Sequence, residues 1–334
     1  MPALPTRKLG DTQVTAIGWG GMGISTAYGP TPPDEDRLAF LDALYASGCT
    51  FWDTADVYGD SEELLSKWFK RTGKRNEIFL ATKGGFVFQP DRAVNAEPEY
   101  LKSTIEKSLA RLGVDTIDLY YIHRPDPTVP IEKSVAAVAE YVKAGKIKYI
   151  GICECSADTL RRANATHPIA AVQTEYSLAE LIIERNGLLD ACRELGVAVV
   201  PFAPLGKGLL TGQYRSPDDF DETDNRRQIP RFSRENFPNV NRLADGLKAI
   251  GERHNATAGQ VALAWLLAQG NDIIPIPGTK TVKYLQENLG ALKVTLTKEE
   301  LKEMRELAEK ADPWTGPRFP AWFTAQSFVD TPPL

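Results

Sequence analysis

From residue 37 onward, short apolar runs rich in β-branched and aromatic residues alternate with amphipathic stretches of about 10–15 residues, the pattern of parallel strands joined by crossover helices. Eight runs read as strands: TAIGWG (15–20), CTFWD (49–53), EIFLATK (77–83), TIDLYYIH (116–123), IKYIGI (147–152), AAVQTE (170–175), VAVVPFA (197–203) and DIIPIP (272–277). Between them, DRLAFLDALYASG, SEELLSKWFKR, PEYLKSTIEKSLARLG, PIEKSVAAVAEYVKAG and ADTLRRANATH carry apolar positions at helical spacing. Several end in Ser-Gly, Leu-Gly or Ala-Gly, as helix C-caps do. Eight strands alternating with helices predict a (β/α)8 TIM barrel, whose functional side chains come from the C-terminal ends of several strands. No internal repeat, low-complexity tract or Pro/Ser-rich linker divides the chain. The expected organisation is one domain over residues 1–334, with a core at about 7–310 and a tail at 311–334.

Three parts fall outside the eightfold pattern. RKLGDTQVTAIG (7–18) reads as two short strands around a Gly-Asp turn, a hairpin suited to closing the barrel floor. The polar segment 208–238, after the seventh strand, is too long for an ordinary βα loop and is a lid candidate. The tail beyond Asp312 holds six prolines or glycines together with Trp314, Phe319, Trp322, Phe323 and Phe328. That mixture argues against a regular helix and against a solvated tail, and predicts packing on the barrel or on a neighbour.

Composition narrows the class. With 43% hydrophobic and 25% charged residues, the chain suits a globular enzyme with a large core. A formal charge of -5 gives no basic footprint for nucleic acid or anionic lipid, so neither partner is expected. The N-terminus lacks the apolar stretch of a signal peptide, and no uncharged window approaches about 18 residues. The expectation is a cytoplasmic protein with no membrane partner, a monomer or weak homo-oligomer. Cys49, Cys153, Cys155 and Cys192 are too few and too scattered for a disulfide scaffold and contain no C-x-x-C pair, so they read as reduced thiols.

One motif points to another fold. Gly18-Trp-Gly20-Gly21-Met-Gly23 matches G-x-G-x-x-G, which in a Rossmann unit opens a helix beneath a pyrophosphate. Here it runs into ISTAYGPTPP, which cannot open that helix directly. The glycines are better read as allowing close backbone approach to a ligand at the end of the first barrel strand. A metal-dependent barrel hydrolase fits poorly as well: only His123, His167 and His254 are available, without H-x-H or H-E-x-x-H spacing.

Four residues follow the predicted strands in a chemically suggestive set: Asp53, Tyr58 in the turn beyond it, Lys83 and His123. A free phenol near pKa 10 is a sluggish acid at neutral pH. A nearby ammonium lowers that value by favouring the phenolate, and a carboxylate keeps the ammonium charged and fixed. A neutral histidine beside the phenol could orient a carbonyl oxygen that receives the phenol's proton while hydride arrives at carbon. Singly, each residue is as readily a cap, a loop aromatic, a surface charge or a satisfied polar group. Together at strand ends they suggest carbonyl reduction.

The segments FWDTADVYGDSE (51–62), ATKG (81–84), DLYYIHRPD (118–126) and IPGTK (276–280) through ENLGA (287–291) resemble the aldo/keto reductase superfamily in order and spacing, over about residues 7–310. HRPDPTVPIE (123–132) and IAAVQTEYS (169–177) resemble its fungal and plant branch with pyridoxal, aryl-aldehyde and perakine reductases.

This resemblance implies a (β/α)8 barrel that binds NADPH extended across its mouth and reduces an aldehyde or ketone, a small-molecule carbonyl, to an alcohol. Tyr58 would be the general acid, assisted by Asp53, Lys83 and His123. Cofactor contacts would come from Gly20, Gly21, Met22 and Asp53, from Cys153, Glu154 and Gln173 at the nicotinamide amide, and from Phe202 stacking on the ring beside Ala203. Pro204, Leu205, Gly206, Lys207 and Gly208 would wrap the pyrophosphate, and Gly278, Thr279, Lys280, Tyr284, Glu287 and Asn288 the adenine end. Lys280 as partner of a 2′-phosphate favours NADPH over NADH. The chain departs from the family pattern at Cys153-Glu154, where Ser with Asn or Glu is usual, and at Phe202 and Ala203, where Tyr and Ser are usual. A thiol is the poorer hydrogen-bond partner, so stacking survives while polar anchoring weakens. Tyr28, Phe86, Phe88 and Arg124 are candidate substrate-pocket residues. The alternative within the resemblance is a cofactor-binding regulatory subunit like the potassium-channel β subunits.

Overall fold

Gly10 takes a left-handed φ of 58°, which lets β1 (Thr6–Leu9) fold back antiparallel onto β2 (Thr12–Thr15) with Leu9 opposite Thr12. In this computed structural model, residues 3–89, 92–311, 319 and 324–334 are described, and of Phe88, Gln89 and Arg92 only the backbone. The buried side chains of Leu9 and Val14 pack with Phe51, Phe79 and Leu119 at the N-terminal end of the barrel. Arg7 fastens the hairpin from outside, donating to the carbonyl oxygens of Leu267 at 2.6 Å, Gly270 at 2.7 Å and Ile273. The hairpin closes the floor, as its sequence suggests.

Seven parallel strands follow in chain order around the sheet. They are β3 (Trp19–Gly20), β4 (Phe51–Asp53), β5 (Phe79–Gly84) and, after a small antiparallel hairpin of β6 (Phe86–Gln89) and β7 (Arg92–Val94), β8 (Ile117–Ile122), β9 (Ile147–Cys153), β10 (Ile169–Glu175) and β11 (Ala198–Phe202). The β6–β7 hairpin was not foreshadowed by the alternating pattern, because it lies within a single βα loop.

The expected eighth strand is present as an irregular one. Ile274 and Ile276 donate their N–H groups to the carbonyls of Val199 and Pro201 on one side, at 2.8 and 3.0 Å. On the other side, the carbonyls of Pro275 and Pro277 accept from Gly18 and Gly20 at 3.0 and 3.3 Å. The two prolines occupy the positions whose N–H groups would face β3, so half of that ladder is missing. Bridges at Val199–Ile273 and Gly20–Gly278 close the barrel.

The helices follow the predicted amphipathic stretches within two residues at either end; Pro98–Leu112, for example, ends at Gly113 with φ 63°. Segment 208–238 is a chain of short 3-10 turns running into the helix Phe237–Arg253. It carries a small core of its own: Leu209, Phe220, Phe232, Phe237 and Val240. Beyond the helix Lys298–Ala311, the C-terminal residues return to the mouth of the barrel. Phe328 donates to the carbonyl of Glu154 at 2.7 Å, and Arg162 donates to the carbonyls of Thr331 and Pro332 at 2.7 and 2.6 Å. Phe319 is buried, while Trp314, Trp322 and Phe323 lie outside the described residues.

Candidate active site

Alternate residues of a strand face the same side of its sheet, and that rule assembles the site. Phe51, Ala81, Tyr121, Ala171, Val200 and Ile276 form the inner core of the barrel. The next positions on the same face toward the C-terminal ends are Asp53, Lys83, His123, Gln173, Phe202 and Gly278, joined by Cys153 and Gly20. A single ring of strand-end residues therefore brings together three of the four proton-transfer candidates, Asp53, Lys83 and His123, with five of the expected cofactor contacts.

At its base, Lys83 Nζ donates to Asp53 Oδ1 at 2.5 Å and to the carbonyl of Thr54 at 2.8 Å. Gln173 Nε2 donates to the other Asp53 oxygen at 2.8 Å. Burial, the largest single effect, would weaken the hold of Lys83 on its proton, but the charge and hydrogen bond of Asp53 together with Tyr58 and Cys153 outweigh it and keep the ammonium above its ordinary value. The pair is a buried, hydrogen-bonded ion pair.

Tyr58 sits in the turn after β4, its N–H donating to Ala55 and its carbonyl accepting from Ser61, both at 3.1 Å. Lys83 Nζ lies 4.9 Å from the centre of its ring. The His123 ring meets it edge-on, 5.9 Å between centroids at 81°, and Phe86 flanks the histidine at 5.4 Å. Burial raises the Tyr58 phenol above its usual value; Lys83 pulls the other way, and Asp53 and Cys153 reinforce the rise. The cation acts in the sense expected from the sequence, but burial wins and Asp53 offsets part of its field. Burial, then Lys83 and Arg124, depress His123 well below the ordinary histidine value, so the imidazole is neutral. Its Nδ1 is buried without a hydrogen-bond partner among the described residues.

The remaining expected contacts fall into three groups. Gly20 and Gly278 meet backbone to backbone, Gly21 N–H donates to the Asp53 carbonyl at 2.7 Å, and Met22 begins the short helix Met22–Ser25. At β9, the buried Cys153 thiol is pushed up to about 12, chiefly by burial. The Glu154 carboxylate turns away from the ring: it accepts from Thr174 Oγ1 and the Glu175 N–H, both at 2.9 Å, and lies 3.6 Å from Arg124 Nη1. After β11, Ala203 (φ 46°), Gly206 (59°), Lys207 (57°) and Gly208 (100°) build a left-handed turn around Pro204 and Leu205. At the far end, Trp19 Nε1 donates to the Thr279 carbonyl at 2.8 Å, and Lys280 Nζ donates to the carbonyls of Tyr28 and Pro30 at 2.9 and 3.1 Å. Tyr284 reaches Gln213 at 3.0 Å, Glu287 accepts from Thr257 at 2.8 Å, and Asn288 is buried.

Of the candidate pocket residues, Phe86 is at the ring of strand ends, and Tyr28 stacks beneath the Arg226 guanidinium at 5.0 Å. Arg124 is buried beside Glu154, and the Phe88 side chain lies outside the described residues.

The sequence profile of the Aldo/keto reductase family matches residues 16–309. The chain belongs to this family. Among aldo/keto reductases it is 57% identical over 316 residues to aldo-keto reductase str7 of Strobilurus tenacellus, covering 92% of this chain and 93% of that protein. It is 50% identical over 339 residues to aldo-keto reductase yakc [NADP(+)] of Schizosaccharomyces pombe, covering 99% of each. The solved structure of the glycerol dehydrogenase AKR11B4 from Gluconobacter oxydans superposes with a TM-score of 0.82 at 27% identity, covering 95% of this chain and 98% of that one. Among the described residues of this aldo/keto reductase, no helix is long and apolar enough to cross a membrane.

Three charged residues at the mouth escaped the sequence reading. Arg226 grips Asp224 through Nε and Nη2, donates to the Lys207 carbonyl at 2.9 Å, and lies 4.4 Å from both the Tyr214 and Phe220 rings. Glu175 and Arg231 form a buried pair at 2.9 Å. Nothing in the run DNRRQIPRFSR distinguishes these arginines from their exposed neighbours, because their burial depends on how segment 208–238 folds back. Glu175 did carry a signal, since it is a charged residue on the inward period of a strand whose residues are otherwise buried.

Proposed function

We propose that the protein catalyses NADPH-dependent reduction of an aldehyde or ketone to an alcohol, with Tyr58 as general acid. The observation that carries this reading is the buried Asp53–Lys83 ion pair lying beneath a protonated phenol, with a neutral imidazole edge-on to that phenol. The donor set fits the cofactor. Lys207 and Lys280 would supply ammonium groups for the diphosphate and a 2′-phosphate, and the left-handed turn Gly206–Lys207–Gly208 follows Phe202, which shares the ring of strand ends with Cys153. When bound, the nicotinamide supplies the hydride.

The chain's own residues do the rest. His123 and Tyr58 hold the carbonyl oxygen between them, and the imidazole stays neutral so that it can donate a hydrogen bond without competing for the proton. Tyr58 passes its hydroxyl proton to that oxygen as negative charge develops, and Lys83 stabilises the resulting phenolate. Asp53 keeps Lys83 charged and Gln173 keeps Asp53 oriented. Lys280 favours NADPH: in this structure it serves two neutral carbonyls, which a phosphate would outcompete as an acceptor. The relative yakc carries NADP(+) in its name. Phe86 and Tyr28 near the mouth suit an aromatic or otherwise bulky carbonyl.

A panel of carbonyls including nitrobenzaldehyde and pyridoxal, followed by NADPH absorbance with NADH as control, tests the reading. Oxidation of NADPH dependent on an aldehyde is expected. No turnover across the panel, with NADPH still bound, would favour a cofactor-binding regulatory role; equal use of NADH would remove the role given to Lys280.

A further inference from the structure

The turn that carries Tyr58 is short and tied at its start. Asp56 donates its N–H to the Lys83 carbonyl at 3.1 Å, and the Thr54 and Ser61 hydroxyls share a hydrogen bond of 2.7 Å across the turn's base. Beyond Tyr58 the chain passes through Gly59, at a left-handed φ of 57°, to Asp60 at the N-cap of the helix Ser61–Thr72. A Cβ at Gly59 would stand 2.9 Å from the Ser25 carbonyl oxygen, so the turn lies directly against the helix Met22–Ser25.

An aspartate at an N-cap ordinarily accepts from the first N–H groups of its helix. The Asp60 side chain makes no such bond. Its two oxygens accept from Arg37 instead, Nη1 donating to Oδ1 at 2.7 Å and Nη2 to Oδ2 at 2.8 Å. Arg37 comes from the helix Asp34–Ala46 and is 5% exposed. Its Nη1 also donates to Ser25 Oγ at 3.0 Å, and its Nη2 to Asp34, whose other oxygen takes Lys67 Nζ at 2.5 Å. Two cations thus face two carboxylates. The hydrogen bonds from Arg37 hold the Asp60 carboxyl down to about 2, so the fork persists at any working pH. A planar guanidinium can grip both carboxylate oxygens and a hydroxyl on a second segment at once, which an ammonium cannot. We propose that Arg37 is a positioning residue for Tyr58: its fork on Asp60 and its bond to Ser25 lock the turn 58–60 onto the helix Met22–Ser25, and so fix the phenol over Lys83 and edge-on to His123. The inference rests on the reading above that Tyr58 is the general acid. A phenol in that role must meet the carbonyl oxygen within hydrogen-bond reach, and a displacement of about 1 Å costs about 10²-fold in rate.

The test is the single-turnover rate of reduction of an aromatic aldehyde by NADPH, with NADPH affinity from fluorescence titration alongside. Arg37→Ala, Arg37→Lys and Asp60→Asn are compared with wild type, and Arg37→Ala and Asp60→Asn are repeated in a Tyr58→Phe background. Arg37→Ala is expected to slow reduction by about tenfold or more while NADPH affinity stays within about threefold of wild type. Arg37→Lys is expected to slow it by at least about threefold, because the ammonium keeps the charge and loses the fork. In Tyr58→Phe, where there is no phenolic proton to place, Arg37→Ala is expected to change the rate by less than about twofold. A purely structural role for Arg37 would slow both backgrounds by the same factor. That result, or an Arg37→Ala or Arg37→Lys variant at the wild-type rate, overturns the proposal. If Arg37→Ala does not fold, Asp60→Asn decides by the same comparison: a fall of about threefold or more with Tyr58 present and none in Tyr58→Phe supports it, and no fall or equal falls overturn it. Wild-type turnover in Tyr58→Phe alone removes the general-acid reading, and the proposal with it.

Discussion

Lys83 and Asp53 make a 2.5 Å ion pair with side-chain exposures of 0% and 3%, so neither charge has water to fall back on. Removing one partner of such a pair leaves the other uncompensated, at a cost of about 3–5 kcal/mol. Asp53→Asn is therefore expected to lower unfolding stability by that amount in urea titration, and Lys83→Met added to it to recover part of the loss. An Asp53→Asn midpoint equal to wild type would mean that the pair is not ionised in the folded state.

The two groups proposed to hold the carbonyl oxygen are shifted away from the ordinary working range in opposite directions. Burial keeps the Tyr58 phenol protonated beyond its usual value and keeps His123 neutral well below the usual histidine value. Reductive kcat is expected to stay within about twofold from pH 6.5 to 9 and to fall only above pH 10, whereas alcohol oxidation, which needs the phenolate, rises with pH. A fall in reduction centred near pH 6.5 would require the imidazole to titrate normally and would remove the neutral-donor role of His123.

How much of this was legible in the sequence depends on the physical origin of each feature. The ring of Gly20, Asp53, Lys83, His123, Cys153, Gln173, Phe202 and Gly278 follows from strand periodicity, which is written in the order of apolar residues. The hairpin over the floor follows from the Gly10-Asp11 turn in the same way. The interruption of the eighth strand was latent in Pro275 and Pro277, but which side they face depends on the register with β3 and β11. The balance at Tyr58 could not be read at all, because it turns on burial opposing the Lys83 field, and burial of a turn residue has no periodic signature. The same holds for Arg226 and Arg231, which reach Lys207 and Glu175 across a non-repeating segment.

Asp56, two residues before Tyr58, is raised to about 7 by burial and by the nearby Glu62. Its Oδ1 is buried without a hydrogen-bond partner among the described residues, facing a cavity of ≈ 350 Å³ lined by Phe86, Tyr100, Lys107 and Arg111. A carboxyl raised above its unfolded value favours folding below that unfolded value and loses the advantage as pH climbs toward 7. Asp56→Asn, which keeps the side chain neutral, is expected to match wild-type stability near pH 4 and to exceed it by about 1–3 kcal/mol at pH 8. Equal stabilities at both pH values in chemical denaturation would contradict the assignment.

All four cysteines are buried and unlinked, and burial pushes the Cys49, Cys153 and Cys192 thiols up to about 12 and Cys155 well above its ordinary value. Thiolate, not thiol, is the reactive species. With a chromogenic disulfide reagent at pH 8, the folded protein is expected to release almost no colour over minutes, and the protein in denaturant four equivalents. A rapid single equivalent from the folded protein would show that one of these thiols is open to solvent.

The most direct test of the central claim is single-turnover reduction of an aromatic aldehyde by NADPH in Tyr58→Phe. The substitution removes one hydroxyl and leaves the phenyl ring, the Asp53–Lys83 pair and the proposed cofactor contacts in place. With general-acid catalysis contributing about 10²–10⁴-fold, the rate is expected to fall by that factor while NADPH affinity stays within about threefold of wild type. Reduction at the wild-type rate in Tyr58→Phe would contradict the account.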